Sequence, residues 1–377
     1  MKNNKFSINN VEYSSQKVLV IAELGTSHGA DPVKASELIE AAAEAGADCI
    51  KFQIVHAAEI LHPNTGEVSL PWGKIRLYDR FRELELPISF FAELKEKVEK
   101  LGLIFLCTPF GLISARELKS LGPKCVKIAS PELNYSSLLS EVASYRLPIL
   151  LSTGVSKLGD IEEALSNIKG NQAFSMAPSA NICLLHCVTA YPAPEKDYNL
   201  RVLRGLSSVF GIPVGVSDHS LDPELVPLLG ISQGASVIEK HFCLSRDDPG
   251  LDDHIALPPP SFAGMVKAVR GAEKMRPEEI ISVLCRERGE ETVEAVLGNG
   301  VKQLALSEKA NYERTNRSIH ALRDIKEGEK IEIGMYASLR TEKILRPGLP
   351  PSWEKQISGR RARQFIPAGE GIRFEDI

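Results

Sequence analysis

Several things are missing from this chain of 377 residues. No apolar run is long enough to cross a bilayer, and the opening MKNNKFSINN lacks a signal-peptide core, so the expectation is a cytoplasmic protein without a membrane partner. The 7 cysteines are odd in number, scattered, and contain no CxxC pair. Cys49, Cys107, Cys183 and Cys187 lie in or beside apolar runs, as small buried hydrophobes do. A reducing compartment follows, and a disulfide framework is excluded. Charge of one sign is also missing: a net charge of -4 offers no global attraction to nucleic acid or anionic lipid. An anionic substrate must be drawn by a local cluster of cations. No GxGxxG follows the first strand pattern, which counts against a dinucleotide-binding sheet.

What is present is a regular alternation. Short apolar runs recur at Val18–Ala22, Cys49–Phe52, Leu103–Cys107, Cys125–Ile128, Ile149–Leu151, Ile182–Leu185, Val214–Val216 and Val237–Ile238. Helical patterns separate them. The clearest is Pro32–Ala45, with Asp31 as N-cap, Pro32 at the first helical position and Gly46 as stop. Strands of this kind alternating with amphipathic helices imply a parallel sheet covered by helices, and eight units predict a closed (β/α)8 TIM barrel. Phe6–Ser14 alternates around Asn9-Asn10 and predicts a hairpin capping one end. The spacing divides the chain into a barrel domain over 1–275, a charged and partly helical linker over 276–316, and a small, mainly β module over 317–377. Asn64–Leu86 interrupts the pattern as a candidate substrate cover.

The strand ends carry the chemistry. Glu23 ends the first run, Lys51 and Gln53 the second, Thr108 the third, and Lys127, Ser130 and Glu132 follow the fourth. Ser152 ends the fifth, Thr189 and Tyr191 follow the sixth, and Ser217, Asp218 and His219 end the seventh; Glu239, Lys240 and His241 close the eighth. One such residue is ordinarily a cap or a solvated charge. At every strand end together, two lysines and several hydroxyls would cradle a small phosphorylated carboxylate. His219 and His241 lie one strand–helix–strand unit apart, so both imidazoles could face one divalent metal.

The motifs IAELGTSHGADPVKASELIEAAAEAGADCIKFQ, CTPF, KIASPELNY, LSTG, LLHCVTAYPAPEKDYNL, VGVSDHS and IEKHFCLSRDDPGLDD together resemble the successive strand-end motifs of sialic acid synthases (N-acetylneuraminate synthases). NRSIHALRDIKEGEKI followed by LRPG resembles that family's C-terminal antifreeze-like, or SAF, domain. The resemblance implies condensation of phosphoenolpyruvate with an N-acyl amino sugar, N-acetylmannosamine or a relative, to a nonulosonic acid with release of phosphate. It implies that His219 and His241 hold Mn²⁺ or Mg²⁺, and that Lys51, Thr108, Lys127, Ser130, Ser152, Thr189 and Ser217 hold phosphoenolpyruvate. Glu23, Gln53, Tyr191 and Asp252 would orient the sugar, and Glu132 would carry protons. It further implies a homodimer in which the SAF domain crosses to the partner's site, bringing Arg346 of LRPG to the sugar's N-acyl group.

Two departures bear on the sugar. PGLDDHIALPPP keeps Asp252 but sets Asp253, Ala256 and Pro258 where the family has other residues. PWGKIRLYDRFRELELP places Trp72 near a sugar-binding asparagine of the sialic acid enzymes, with Asn64 at a different offset, and has some likeness to the pseudaminic acid branch. Competing readings are a metal-dependent aldolase or lyase using free pyruvate, and a non-catalytic carbohydrate- or ice-binding protein. The second has no use for Lys51, Lys127, Glu132 and both histidines together.

Overall fold

The computed structural model describes residues 5–70, 73–177, 181–342 and 344–377. Its centre is a parallel sheet of eight strands: β1 (Leu19–Gly25), β2 (Cys49–Ile54), β3 (Ile104–Pro109), β4 (Val126–Ile128), β5 (Ile149–Ser152), β6 (Ile182–Cys187), β7 (Val214–Asp218) and β8 (Ala235–His241). Hydrogen-bonded neighbours run β3-β2-β1-β8-β7-β6-β5-β4, which is chain order around a ring. β3 and β4 lie side by side at the seam, and the sheet is a TIM barrel. Helices follow the strands on the outside: α1 (Pro32–Glu44), α2 (Ile88–Lys100), α3 (Leu112–Ser120), α4 (Ser136–Ala143), α5 (Leu158–Lys169), α6 (Val202–Phe210), α7 (Leu225–Ser232) and α8 (Pro259–Ala272). α1 begins where the Asp31 carboxylate accepts the amides of Val33 and Lys34 at 2.8 and 3.3 Å.

Alternate residues of a strand share a face, and here the inward face changes character along each strand. Its lower positions, among them Ile21, Cys49, Leu106, Leu150, Leu185 and Val237, form one buried apolar cluster. Phe6, Ile8 and Tyr13 plug that cluster from below. They come from a hairpin pairing Phe6–Ile8 with Val11–Tyr13, turned by Asn9 and Asn10 at φ 50° and 63°. Two residues further along, the same inward face presents Glu23, Lys51, Thr108, Ser152, Cys187, Ser217 and Glu239, all buried. The ionic layer therefore rests on an apolar floor.

Residues expected in the linker are more ordered than their charge suggested. α9 (Pro277–Arg288) and α10 (Glu290–Leu297) pack Ile280, Leu284, Val293, Val296 and Leu297 into the core between strands and helices. The C-terminal module pairs Arg317–Ala321 with Tyr336–Arg340 and has its own core, including Ile319, Ile325, Ile331, Ile357, Ile366 and Ile372.

This module packs over the C-terminal end of the barrel, with Arg317 and Arg340 bonded to Glu132. The connection bends back because it is pinned to barrel loops. Glu308 accepts the amides of Val155 and Thr189 at 3.0 and 2.9 Å, and Asn311 donates to the Thr189 carbonyl at 3.0 Å. Among the described residues no helix is long and apolar enough to cross a membrane. All seven cysteines are free, and six are buried.

Candidate active site

A cavity of about 560 Å³ opens at the C-terminal ends of the strands. Its lining holds Glu23, Lys51, Gln53, Thr108, Lys127, Ser130, Ser152, Thr189, Tyr191, Ser217, His219, His241 and Asp252. Two residues expected there, Glu132 and Arg346, do not line it.

The cradle is an ion network. Lys51 Nζ lies 3.0 Å from Glu23 Oε2, 3.2 Å from Glu239 Oε1 and 3.5 Å from Thr108 Oγ1. Lys127 Nζ donates to Ser152 Oγ at 2.7 Å and stands 3.7 Å from Glu239 Oε1. Ser217 Oγ donates to the same Glu239 oxygen at 2.9 Å. Burial opposes the charge of Glu239, but Lys127 and Lys51 outweigh it and take the carboxyl down to about 2. Burial would also lower Lys51, yet Glu23 and Glu239 hold it above the ordinary lysine value. Lys127 goes the other way, lowered by burial with Lys51 beside it. Glu239 is thus the internal counter-ion of both lysines. It was not among the expected substrate contacts, although its spacing of two from His241 on a strand puts it on the same inward face.

At the other side of the cavity the imidazoles of His219 and His241 lie 5.4 Å apart, centroid to centroid. His219 Nδ1 is 2.9 Å from the Val188 carbonyl oxygen, so Nδ1 carries the proton and Nε2 keeps its lone pair. Its amide donates to the Tyr198 hydroxyl at 2.7 Å, and the Tyr191 ring stacks on it at 4.3 Å. Burial lowers both imidazoles, and His219 lowers His241 further, leaving His241 well below the usual histidine range. Asp252 Oδ2 is 3.9 Å from His241 Nδ1. Among the described residues no group of three or more His, Cys, Asp or Glu side chains is arranged to hold a metal. The donor set is two neutral imidazoles on one cavity, which fits a divalent ion whose remaining positions go to water or substrate oxygens.

Beside Lys51, Gln53 Nε2 donates to Glu23 Oε1 at 2.7 Å, fixing both side chains. Ser130 Oγ accepts the Gly154 amide at 2.9 Å. Thr189 presents a buried hydroxyl with no hydrogen-bond partner among the described residues. Leu77 and Phe81, from the interrupting segment, form an apolar wall. Asn64 faces elsewhere and donates to the Ala368 carbonyl at 3.1 Å. Trp72 lies outside the described residues.

Glu132 sits behind the lining, fully buried, with its carboxylate held by Arg317 and Arg340 of the C-terminal module. Arg346 remains within that module, donating to Asp376 Oδ2 at 2.6 Å and to the Gly371 carbonyl at 3.0 Å. The arginine that reaches the cavity is Arg340. Sequence reasoning missed it because it belongs to a strand of a separate module and no local pattern marks it.

Between the functional positions, Asp218 and Lys240 point out of the barrel. They are register partners on β7 and β8, and Lys240 Nζ lies 2.6 Å from Asp218 Oδ2 and 2.6 Å from the Ser220 carbonyl. This pair ties together the strand ends that carry the two histidines. Lys240→Met strands a buried carboxylate and is expected to cost about 3–5 kcal/mol, read as a lowered denaturation midpoint. A loss under about 1 kcal/mol would remove the clamp.

A family model described as NeuB family matches residues 38–280, and a SAF domain model matches residues 316–377. The chain is similar to N,N'-diacetyllegionaminic acid synthase of Legionella pneumophila, 33% identical over 371 residues, covering 97% of this chain and 96% of that one. It is similar to pseudaminic acid synthase of Campylobacter jejuni, 31% identical over 372 residues, covering 97% and 98%. The crystal structure of spore coat polysaccharide biosynthesis protein SpsE of Bacillus subtilis matches with a TM-score of 0.81 at 32% identity, covering 99% of each chain. With its barrel, its C-terminal module and its near-full-length relatives in agreement, this chain belongs to the NeuB family and ends in a SAF domain.

Proposed function

We propose that the protein condenses phosphoenolpyruvate with an N-acyl amino sugar in its open aldehyde form, giving a nonulosonic acid and inorganic phosphate. One observation carries this reading: a cradle of two buried lysines and five buried hydroxyls shares a single cavity with two facing, neutral imidazoles. Lys51 and Lys127 would bind the phosphate and carboxylate as charges, with Thr108, Ser130, Ser152, Thr189 and Ser217 fixing the oxygens. His219 and His241 would hold Mn²⁺ or Mg²⁺, which when bound polarises the sugar aldehyde as a Lewis acid. Gln53, Glu23, Tyr191 and Asp252 would orient the sugar, and Arg340 would meet it from the covering module in place of Arg346. Carbon 3 of the enolpyruvate attacks the aldehyde, water adds at carbon 2, and the resulting hemiketal phosphate expels inorganic phosphate by C–O cleavage, leaving the 2-keto acid. The cover excludes bulk water while this happens.

The relatives named for legionaminic and pseudaminic acid favour a 6-deoxy diamino sugar over N-acetylmannosamine. The resemblance also carries a homodimer in a cytoplasmic setting; exchange of the SAF domain would present the same arginines to a partner's barrel. The deciding experiment offers phosphoenolpyruvate labelled with ¹⁸O in its bridging oxygen, together with a panel of N-acyl mannosamines and their 6-deoxy diamino relatives. Label is expected in the released phosphate with one class of sugar. Turnover of free pyruvate without phosphate release would replace this reading with an aldolase.

A further inference from the structure

Arg317 and Arg340 are register partners across the SAF hairpin, one directly opposite the other. Like charges so placed destabilise a strand pair. A carboxylate from the other domain stands between them. Glu132 Oε1 accepts from Arg317 Nε and Nη2 at 3.1 and 2.9 Å, and from Arg340 Nε and Nη2 at 2.9 and 2.8 Å. Oε2 accepts from Arg340 Nη2 at 3.0 Å. Glu132 and Arg317 are both fully buried, and Arg317 also donates to the carbonyls of Glu59 and Phe110 beyond β2 and β3. Asn134, two residues on from Glu132, clasps the Arg317 backbone through bonds of 3.1 and 2.8 Å. None of these bonds uses Arg340 Nη1, and Arg340 lines the cavity.

We infer that Glu132 is a latch: by neutralising the facing Arg317–Arg340 pair it holds the SAF domain over the barrel mouth and sets the Arg340 guanidinium against the cavity. Glu132 is then a positioning residue, not the carrier of the reaction's protons. A side chain behind the lining with its oxygens committed to two guanidinium groups is built for holding. Removing its charge leaves two facing guanidinium groups with no carboxylate between them, and the hairpin leaves the barrel. The role of Arg340 in sugar binding rests on the proposed reaction; closure does not.

The test therefore reads closure without substrate. In the full chain, small-angle scattering gives the overall dimensions and hydrogen exchange follows the Arg317 amide and the amides of Val155 and Thr189. Glu132→Gln is expected to enlarge the particle and to speed exchange at these sites roughly tenfold or more. In turnover the same variant should raise the sugar KM by a larger factor than it lowers kcat. A Glu132→Gln chain as compact and protected as the parent, with a fall in kcat alone, overturns the latch and returns the residue to proton transfer. Should that variant not fold, Arg317→Met with Arg340→Met must give an open, folded barrel; a closed one sinks the inference. Absence of turnover with every sugar would sink the reaction and leave the closure result standing.

Discussion

His219→Ala is expected to leave a folded barrel that releases phosphate about 10³-fold more slowly, or slower still. The ring contributes nothing to the apolar floor, and its loss leaves His241 without the imidazole that faces it. A Lewis acid polarising a carbonyl oxygen contributes several kcal/mol to the transition state, which sets the size of the effect. Binding is a second, independent reading: Mn²⁺ titrated into the parent chain should lose its free-ion resonance signal, and the variant should leave that signal unchanged. An unaltered titration in His219→Ala would take the ion away from this pair of rings. Unaltered turnover in metal-stripped parent would do the same for the chemistry.

Lys127→Met is the second change of this size. Truncating one side of a buried, hydrogen-bonded charge pair costs about 2–5 kcal/mol, so the dissociation constant for phosphoenolpyruvate should rise by about 30-fold to several thousandfold. Glu239 would be left with Lys51 as its only lysine. The effect has a pH signature in the parent. Burial, reinforced by Lys51, lowers the Lys127 ammonium, whereas Lys51 is held up by Glu23 and Glu239. The sign follows from charge: as pH rises through the lowered value, Lys127 becomes neutral while Lys51 stays cationic, and anion affinity falls. KM for phosphoenolpyruvate should therefore climb at a pH below the ordinary lysine range of about 10.4, and Lys127→Arg should remove the climb. A flat profile in the parent would show that Lys127 does not bear charge on the substrate.

Much of this was legible because a parallel barrel writes its core as short apolar runs. Each observed strand overlaps one of the runs read from the sequence, but several extend past it. β8 runs on through Glu239, Lys240 and His241, and β1 through Glu23 to Gly25. Apolarity ends where the inward face turns ionic, although the backbone ladder continues, so composition understates strand length at the site. The cavity residues were legible for the same reason: they sit at the ends of recognisable runs. Glu132 shows the limit. Its position after β4 suggested a cavity residue, and only the arrival of Arg317, 185 positions away in sequence, reveals what its carboxylate holds. Arg340 and Arg346 could not be ranked from sequence, because which arginine faces the barrel depends on how a separate module docks.

The shared inward register of floor and site restricts how a protein of this architecture can change length. Adding or deleting one residue within β2 would rotate Lys51 out among the helices and drive a neighbour such as Ile50 or Phe52 inward. The same slip in β8 would exchange Glu239 for its outward neighbours. Insertions and deletions are therefore confined to the loops, and a change of preferred sugar has to come from substitution in place or from change in the segment that brings Leu77 and Phe81 to the cavity.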